Sequence, residues 1–240
     1  MRMPRLSLAH VPQHVVVRGN NSEFLFNCPH DGATYLNYLE STTRKFESQV
    51  HAFVLMPNHV HLLISSPDPA GVGKTLQALA RHYVPYFNSR YQRSGALFAP
   101  RYRSALVEHG WHALMVSRYI EKNPVRASFC HSAADYKWSS VHFNAQGVEE
   151  PLLSTHQGYR ALSEDDASRR TAYSKLLSKD LSVSELSQIR TQTNRCRVIG
   201  SDAFIATVEE HFGISLAANA RGGDRRSERF RARQRLAVVA

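Results

Sequence analysis

The chain has 240 residues, 42% of them hydrophobic and 21% charged, which is enough for one ordinary domain with an appendage or for two small ones, so no disulfide scaffold is required. No stretch approaches the unbroken apolar run of a membrane helix, and the basic start Met1 to Arg5 is not followed by a signal-peptide core, so a cytoplasmic protein with no membrane partner is expected. The three cysteines, Cys28, Cys130 and Cys196, are far apart and read as free thiols, while the net charge of +10 points to a phosphate polymer as partner.

In chain order, residues 14–18 (His-Val-Val-Val-Arg) read as a strand closed by Gly19-Asn20-Asn21. Residues 31–46 bring Tyr35, Leu36, Leu39 and Phe46 round at helical intervals. Residues 50–56 and 59–65 are two extended apolar runs split by Pro57-Asn58, a hairpin pair. After a loop over 66–73, the recurrence of Leu76, Leu79, Tyr83, Phe87 and Tyr91 predicts a helix over 74–91, kinked at Pro85. A strand over 102–108 and a helix over 112–122, terminated by Pro124 just after Asn123, complete the pattern. The order β-α-β-β-α-β-α is the split βαβ arrangement of an α+β, ferredoxin-like antiparallel sheet with packed helices. Beyond residue 146 strand signals fade, and short helices are expected over 167–177, 183–189 and 202–212. The expected division is therefore a catalytic domain over 1–145 and a helical, basic C-terminal extension over 146–240.

Charge separates these parts further. Basic and acidic side chains number 15 and 10 in residues 1–150, eight and eight in 151–220, and seven and two in 221–240. The basic residues of the last stretch are all arginine, which suits bidentate phosphate contacts.

Two constellations could do chemistry. In Met56-Pro57-Asn58-His59-Val60-His61-Leu62 the strand period puts His59 and His61 on one face and Val60 and Leu62 on the other. Two imidazoles side by side offer half a metal site, although a lone His-x-His is equally compatible with packing. In Arg118-Tyr119-Ile120-Glu121-Lys122-Asn123 the spacing stacks Tyr119 and Asn123 one helical turn apart; without the histidines, a half-buried tyrosine and a capping asparagine before proline explain it better. Together the two make sense for a phosphodiester substrate. A free phenol has a pKa of about 10 and is rarely ionised at neutral pH, so attack needs help from a divalent ion that grips the phosphate. Attack by Tyr119 would leave a 5′-phosphotyrosine and a free 3′ hydroxyl, which permits rejoining as well as cutting. Two histidines and an amide oxygen suit either magnesium or manganese.

These residues resemble a known family, the REP-associated tyrosine transposases of the HUH single-strand endonuclease group. The likeness is carried by Pro12-Gln13-His14-Val15, Arg18-Gly19-Asn20-Asn21, the Met56 to Leu62 motif, Arg101-Tyr102-Arg103-Ser104, Tyr119-Ile120-Glu121, Asn123-Pro124-Val125-Arg126-Ala127, and Tyr136 with Trp138-Ser139-Ser140. A weaker similarity runs over residues 184–204. The resemblance implies His59 and His61 as metal ligands, Asn123 as the third, Tyr119 as nucleophile, and a REP-type palindromic hairpin as substrate. Phe98-Ala99-Pro100 departs from the family's usual polar residue and glycine, and Cys196 stands where glycine is common. A non-catalytic hairpin-binding regulator on the same fold, and a relaxase or replication initiator, are the alternative readings. The sequence leaves monomer and homodimer both open.

Candidate contacts to single-stranded or hairpin DNA are Arg18, Asn20 and Asn21 after the first strand, Arg101 and Arg103 around the later one, and Arg225 and Arg226 in the tail. Tyr102 could stack on an unpaired base or fill the core. Gly73-Lys74-Thr75 imitates a P-loop, but the first glycine of that motif would fall at position 68, which is Asp68.

Overall fold

The computed structural model describes residues 5–216. Its frame is β1 (Gln13–Arg18), α1 (Pro29–Lys45), β2 (Gln49–Met56), β3 (His59–Ser65), α2 (Gly71–Arg90), β4 (Arg103–Val107) and α3 (Trp111–Glu121). The strands lie in the order β2-β3-β1-β4, with β1 antiparallel to both neighbours and β2 antiparallel to β3. This is the ferredoxin-like arrangement that the element order predicts. A fifth strand, β5 (Val198–Ile199), joins β4 in parallel; two residues are too few to show a period, so nothing in the sequence announced it.

Both faces of the sheet are covered, and the strand period sorts each side chain to one of them. Val15, Val17, Val60, Leu62 and Ile64 enter one layer with Tyr35 and Leu39 of α1 and Leu76, Tyr83 and Phe87 of α2. Ala52, Val54, Met56, Leu63, Ala105 and Val107 enter the other, with Met115, Val116 and Ile120 of α3 and Ile189. Fully burying a side chain of this size contributes roughly 1.5–3 kcal/mol, so a one-residue slip of β1 or β3 would exchange the two layers and is heavily disfavoured.

Helix boundaries differ from the sequence reading in instructive ways. α1 starts two residues before residue 31 because Asp31 sits in the first turn and caps: its Oδ2 accepts from the backbone N–H of Cys28 at 3.1 Å and of Asn27 at 2.8 Å. α2 begins at Gly71, inside the expected loop. A Cβ there would lie 2.0 Å from Ser66 Oγ, so glycine is needed where the chain turns into the helix. α2 runs unbroken through Pro85, with Tyr83 and Phe87 anchored in the core on either side. Pro124 does not simply end α3. It occupies the first turn of a separate short helix, α4 (Asn123–Arg126), a position where its missing N–H is no loss.

The C-terminal half adds α5 (Val141–Gln146), α6 (Gln157–Arg160), α7 (Asp166–Ser178), α8 (Val183–Arg195) and α9 (Asp202–Phe212). The last three fall where the sequence places helices, and α8 continues well past residue 189. It starts at a capping box in which Ser182 Oγ accepts from Glu185 N at 3.2 Å and Glu185 Oε2 accepts from Ser182 N at 2.6 Å. It ends on Cys196, whose φ of 54° and ψ of 51° are left-handed. Glycine is the usual residue in that conformation, and a side chain there costs on the order of 1 kcal/mol.

Residues 5–205 form one compact unit, and residues 206–216 belong to a second. No helix among the described residues is long and apolar enough to cross a membrane. The basic tail, with Arg225 and Arg226, lies outside the described residues.

Candidate active site

The register of β1 against β3 sets His61 opposite Val16 and His59 opposite Arg18. His14, two residues before Val16, therefore shares their face, which is the face under α3. His61 and His14 are buried, and their rings meet edge to edge with planes 14° apart and 2.9 Å between His14 Nε2 and His61 Nδ1. His59 lies beside His61 at a ring separation of 5.1 Å. The Tyr119 ring closes the group from above, 5.8 Å from His61 and 5.6 Å from His14, edge-on to both. Asn123 reaches in from just past the end of α3, its amide Nδ2 at 3.0 Å from His61 Nε2. The four residues expected to carry the chemistry are thus neighbours in one chain.

The histidines are held neutral. Burial, with Arg18 nearby, lowers His59 to about 4. Burial and the charge of Arg126 lower His14 to about 3. His61 is pushed well below its ordinary value, first by burial and then by His14, His59 and the two arginines. A neutral imidazole carries one N–H and one lone pair. For His59 the assignment is clear: Nδ1 faces the Asn58 Oδ1 acceptor at 2.7 Å, so Nδ1 donates and Nε2 keeps the lone pair. The turn that carries Asn58 is itself anchored, since Asn58 O accepts from Gly19 N at 2.9 Å. Gly19 is required there, because a Cβ would fall 2.0 Å from Glu23 O.

Among the described residues no three of His, Cys, Asp and Glu cluster to hold a metal. The candidate donor set is two imidazoles and an amide, which suits a hard divalent ion that keeps several water ligands. The 3.0 Å between the Asn123 amide terminus and His61 Nε2 matches two adjacent ligands of an octahedral ion with bonds of about 2.1 Å. Turning the amide over would present its oxygen. The residues fit such an ion.

Three further residues join the site that sequence reasoning did not assign to it. His14 is one. Thr193, on α8, is the second, with Oγ1 at 2.8 Å from His14 Nδ1. Arg126 is the third: its guanidinium lies 4.2 Å from the Tyr119 ring centre and donates to the Tyr119 carbonyl. All three are remote in sequence from the motif they serve or were read only as part of another pattern. The shared strand face of His14 and His61 was the one signal that could have paired them.

The expected DNA-contacting residues divide. Arg18 is exposed beside His59, and Asn20 and Asn21 follow it in a short turn where Asn21 is left-handed at φ 50°. Arg101 is exposed two residues before β4. Arg103 lies on the site face opposite Val16, but it already donates to Asn194, at 2.8 Å to Oδ1 and 3.2 Å to the backbone oxygen. Tyr102 packs under the Arg5 guanidinium, 3.7 Å from its ring centre. Phe98 stacks near Tyr83, and Ala99 N donates to Arg18 O at 2.8 Å, so the unusual apolar loop buttresses the end of β1.

Residues 7–123 match the family described as Transposase IS200 like. No curated protein matches the chain. Among solved structures, that of a REP-associated tyrosine transposase bound to a REP hairpin has the same fold, with 14% identity over 64% of this chain and 91% of its own and a TM-score of 0.53. A putative transposase from Deinococcus radiodurans R1 is 18% identical over 54% of this chain and 92% of its own, with a TM-score of 0.36.

Proposed function

We propose that the protein, whose residues 7–123 match the family described as Transposase IS200 like, cuts and rejoins single-stranded DNA through a covalent bond to Tyr119. The observation that carries this reading is the meeting of His59, His61, Tyr119 and Asn123 on one face of one sheet. Tyr119 Oη attacks the scissile phosphorus and loses its proton to solvent. The tyrosine-phosphate bond forms as the bond to the 3′ oxygen breaks, and that oxygen takes up a proton to become a free hydroxyl. Attack by a 3′ hydroxyl, from the same or another DNA end, reverses the step and restores the phenol. The bond energy is conserved throughout, so no nucleotide need be hydrolysed.

His59, His61 and Asn123 would hold a magnesium or manganese ion, which supplies positive charge against the developing charge on the phosphate. Arg126 over the phenol ring and Arg18 beside His59 add positive potential at the same place. Tyr119 and His61 are neighbours within one chain, so the reaction runs in cis, in a monomer or a homodimer alike. The substrate class proposed is a palindromic hairpin with a single-stranded flank, by analogy with the transposase bound to a REP hairpin. Residues 1–145 do the chemistry, and residues 146–240 with their basic tail hold the DNA.

The test is to incubate the protein with single-stranded palindromic oligonucleotides and magnesium or manganese, and to look for a protein-DNA adduct on a denaturing gel. Wild type should form the adduct and Tyr119→Phe should not. An adduct of undiminished yield in the variant would refute the nucleophile assignment, and none with wild type on matched DNA would favour a hairpin-binding protein without catalysis.

A further inference from the structure

We infer that His14, held by Thr193 of α8, is a positioning residue that fixes which ring nitrogen of His61 faces the reacting phosphate. The inference rests on the metal-assisted reading above and extends it to a residue pair outside the expected ligand set.

Both His61 nitrogens are engaged: Nδ1 lies 2.9 Å from His14 Nε2, and Nε2 lies 3.0 Å from the Asn123 amide nitrogen. One proton sits between the two rings, and it can belong to either. If it belongs to His61, then Nδ1 donates to His14, His14 Nδ1 donates to Thr193 Oγ1, and His61 Nε2 presents a lone pair toward Asn123. If it belongs to His14, the chain of donors reverses from the Thr193 hydroxyl inward, and His61 Nε2 must carry a hydrogen that points at the Asn123 N–H. Two donors cannot share that contact. With the amide nitrogen toward His61 the partners select the first arrangement, and with the amide turned so that its oxygen faces a cation, the same Nε2 lone pair is what that cation requires.

A metal-binding histidine commonly donates its second N–H to a carboxylate or carbonyl that fixes its orientation, and loss of such a partner typically weakens metal binding about 10- to 100-fold. Here a second imidazole takes that place, and a threonine 179 residues away in sequence fixes the imidazole. His14 and Thr193 are both buried, so water is a poor substitute for either. Thr193 lies beyond residues 7–123 that match the transposase family. A helix of the C-terminal half thus sets the hydrogen-bonding state of a residue at the centre of the site.

The experiment uses the full-length protein with nitrogen-15 histidine. Long-range proton-nitrogen spectra of the metal-free protein at neutral pH should show His61 with its hydrogen on Nδ1. Thr193→Val removes the acceptor for His14 and should move that hydrogen toward Nε2; Thr193→Ser should restore the wild-type pattern. Manganese affinity, read by electron paramagnetic resonance, should fall about 10- to 100-fold in Thr193→Val and His14→Ala and should recover largely in Thr193→Ser and His14→Gln, whose amide oxygen can accept from His61. If His14→Ala does not fold, the Thr193 pair carries the test. A folded Thr193→Val protein with the wild-type His61 pattern would overturn the inference. Failure of the wild type to take up manganese, with the His61 pattern still responding to Thr193, would instead overturn the metal reading and leave the positioning role standing.

Discussion

Helix α3 carries two buried polar clusters that differ in one respect. Tyr119 faces the sheet histidines, and Glu121, about 200° further round the helix, faces the C-terminal helices. Glu121 is fully buried and accepts three hydrogen bonds, from Ser140 Oγ at 2.6 Å, Asn144 Nδ2 at 2.7 Å and Tyr173 OH at 2.7 Å. Every group there has a partner, and the network ties α3 to α5 and α7. At the other cluster His59 Nε2 has no hydrogen-bond partner among the described residues, and the Tyr119 side chain is met by the Arg126 guanidinium. Both clusters contain titratable groups displaced by burial, so displacement does not tell them apart. Satisfaction does: a closed network is a staple, and one that leaves the His59 Nε2 lone pair open is a place for a ligand.

The sharpest way to break this comparison is to remove one group from each cluster. Tyr119→Phe should lower adduct formation by three orders of magnitude or more, roughly 4 kcal/mol of barrier, while urea denaturation shows a stability change within about 1 kcal/mol. Glu121→Ala should do the reverse. It strands three buried donors, at about 1–3 kcal/mol for each that finds no water, so a loss on the order of 3 kcal/mol is expected, with residual activity tracking the folded fraction. If Tyr119→Phe proves the more destabilising of the two, the distinction fails.

Acid should act with opposite sign on the buried histidines and on Glu121. His14, His51 and His156 are buried and lowered to about 3, 4 and 3, chiefly by burial. The unfolded chain binds protons at these groups below pH 6.5 while the folded chain does not, so stability falls as pH drops from 6.5 toward those lowered values. At pH 5 each contributes a loss of about 2 kcal/mol, and three such groups rival the whole stability of an ordinary domain. Glu121 is raised above 4.5 by burial, against the pull of its hydrogen bonds. The folded form keeps its proton where the unfolded form loses it, so this group favours the fold more as pH falls. Denaturant midpoints measured from pH 7.5 down to 5 should therefore drop steeply in wild type, and His51→Gln should reduce the slope. A flat profile would contradict the burial assigned to these rings.

The same distinction explains what the sequence disclosed. Strand alternation at His59-Val60-His61 and four-residue spacing at Tyr119 and Asn123 are local patterns, and local patterns survive reading along a chain. The ferredoxin-like order was legible for the same reason, because each strand and helix announces itself by its own period. His14 was hidden in an apolar strand: it lies 47 residues from His61 and 179 from Thr193, and only the register of β1 on β3 and the docking of α8 bring them together. Asn123 fell on the expected side of Tyr119, although a break at Lys122 puts it in a new helix. The Glu121 partners come from two separate segments, one with Ser140 and Asn144 at α5 and one with Tyr173 on α7, and no spacing rule links these to Glu121.

The smallest effect concerns the two arginines on the site face, and it asks whether satisfaction also sorts cations. Arg18 is exposed beside His59, with no hydrogen-bond partner for its side chain among the described residues, whereas Arg103 is already committed to Asn194. A cation with no protein partner is available to a phosphate, and binding there releases a counterion from the strand. Each such contact steepens the fall of log affinity with log salt by about 0.7 for single-stranded DNA. Arg18→Ala should therefore reduce that slope by about 0.7, read by fluorescence anisotropy across a salt series on a single-stranded oligonucleotide, with wild-type thermal stability retained. Arg103→Ala should change the slope by less, because the DNA must first displace Asn194 to reach the guanidinium, and the energy of that exchange offsets the gain. Equal slopes in the two variants would mean that exposure near the site decides which cation binds DNA, and that a hydrogen bond to the protein does not withhold one.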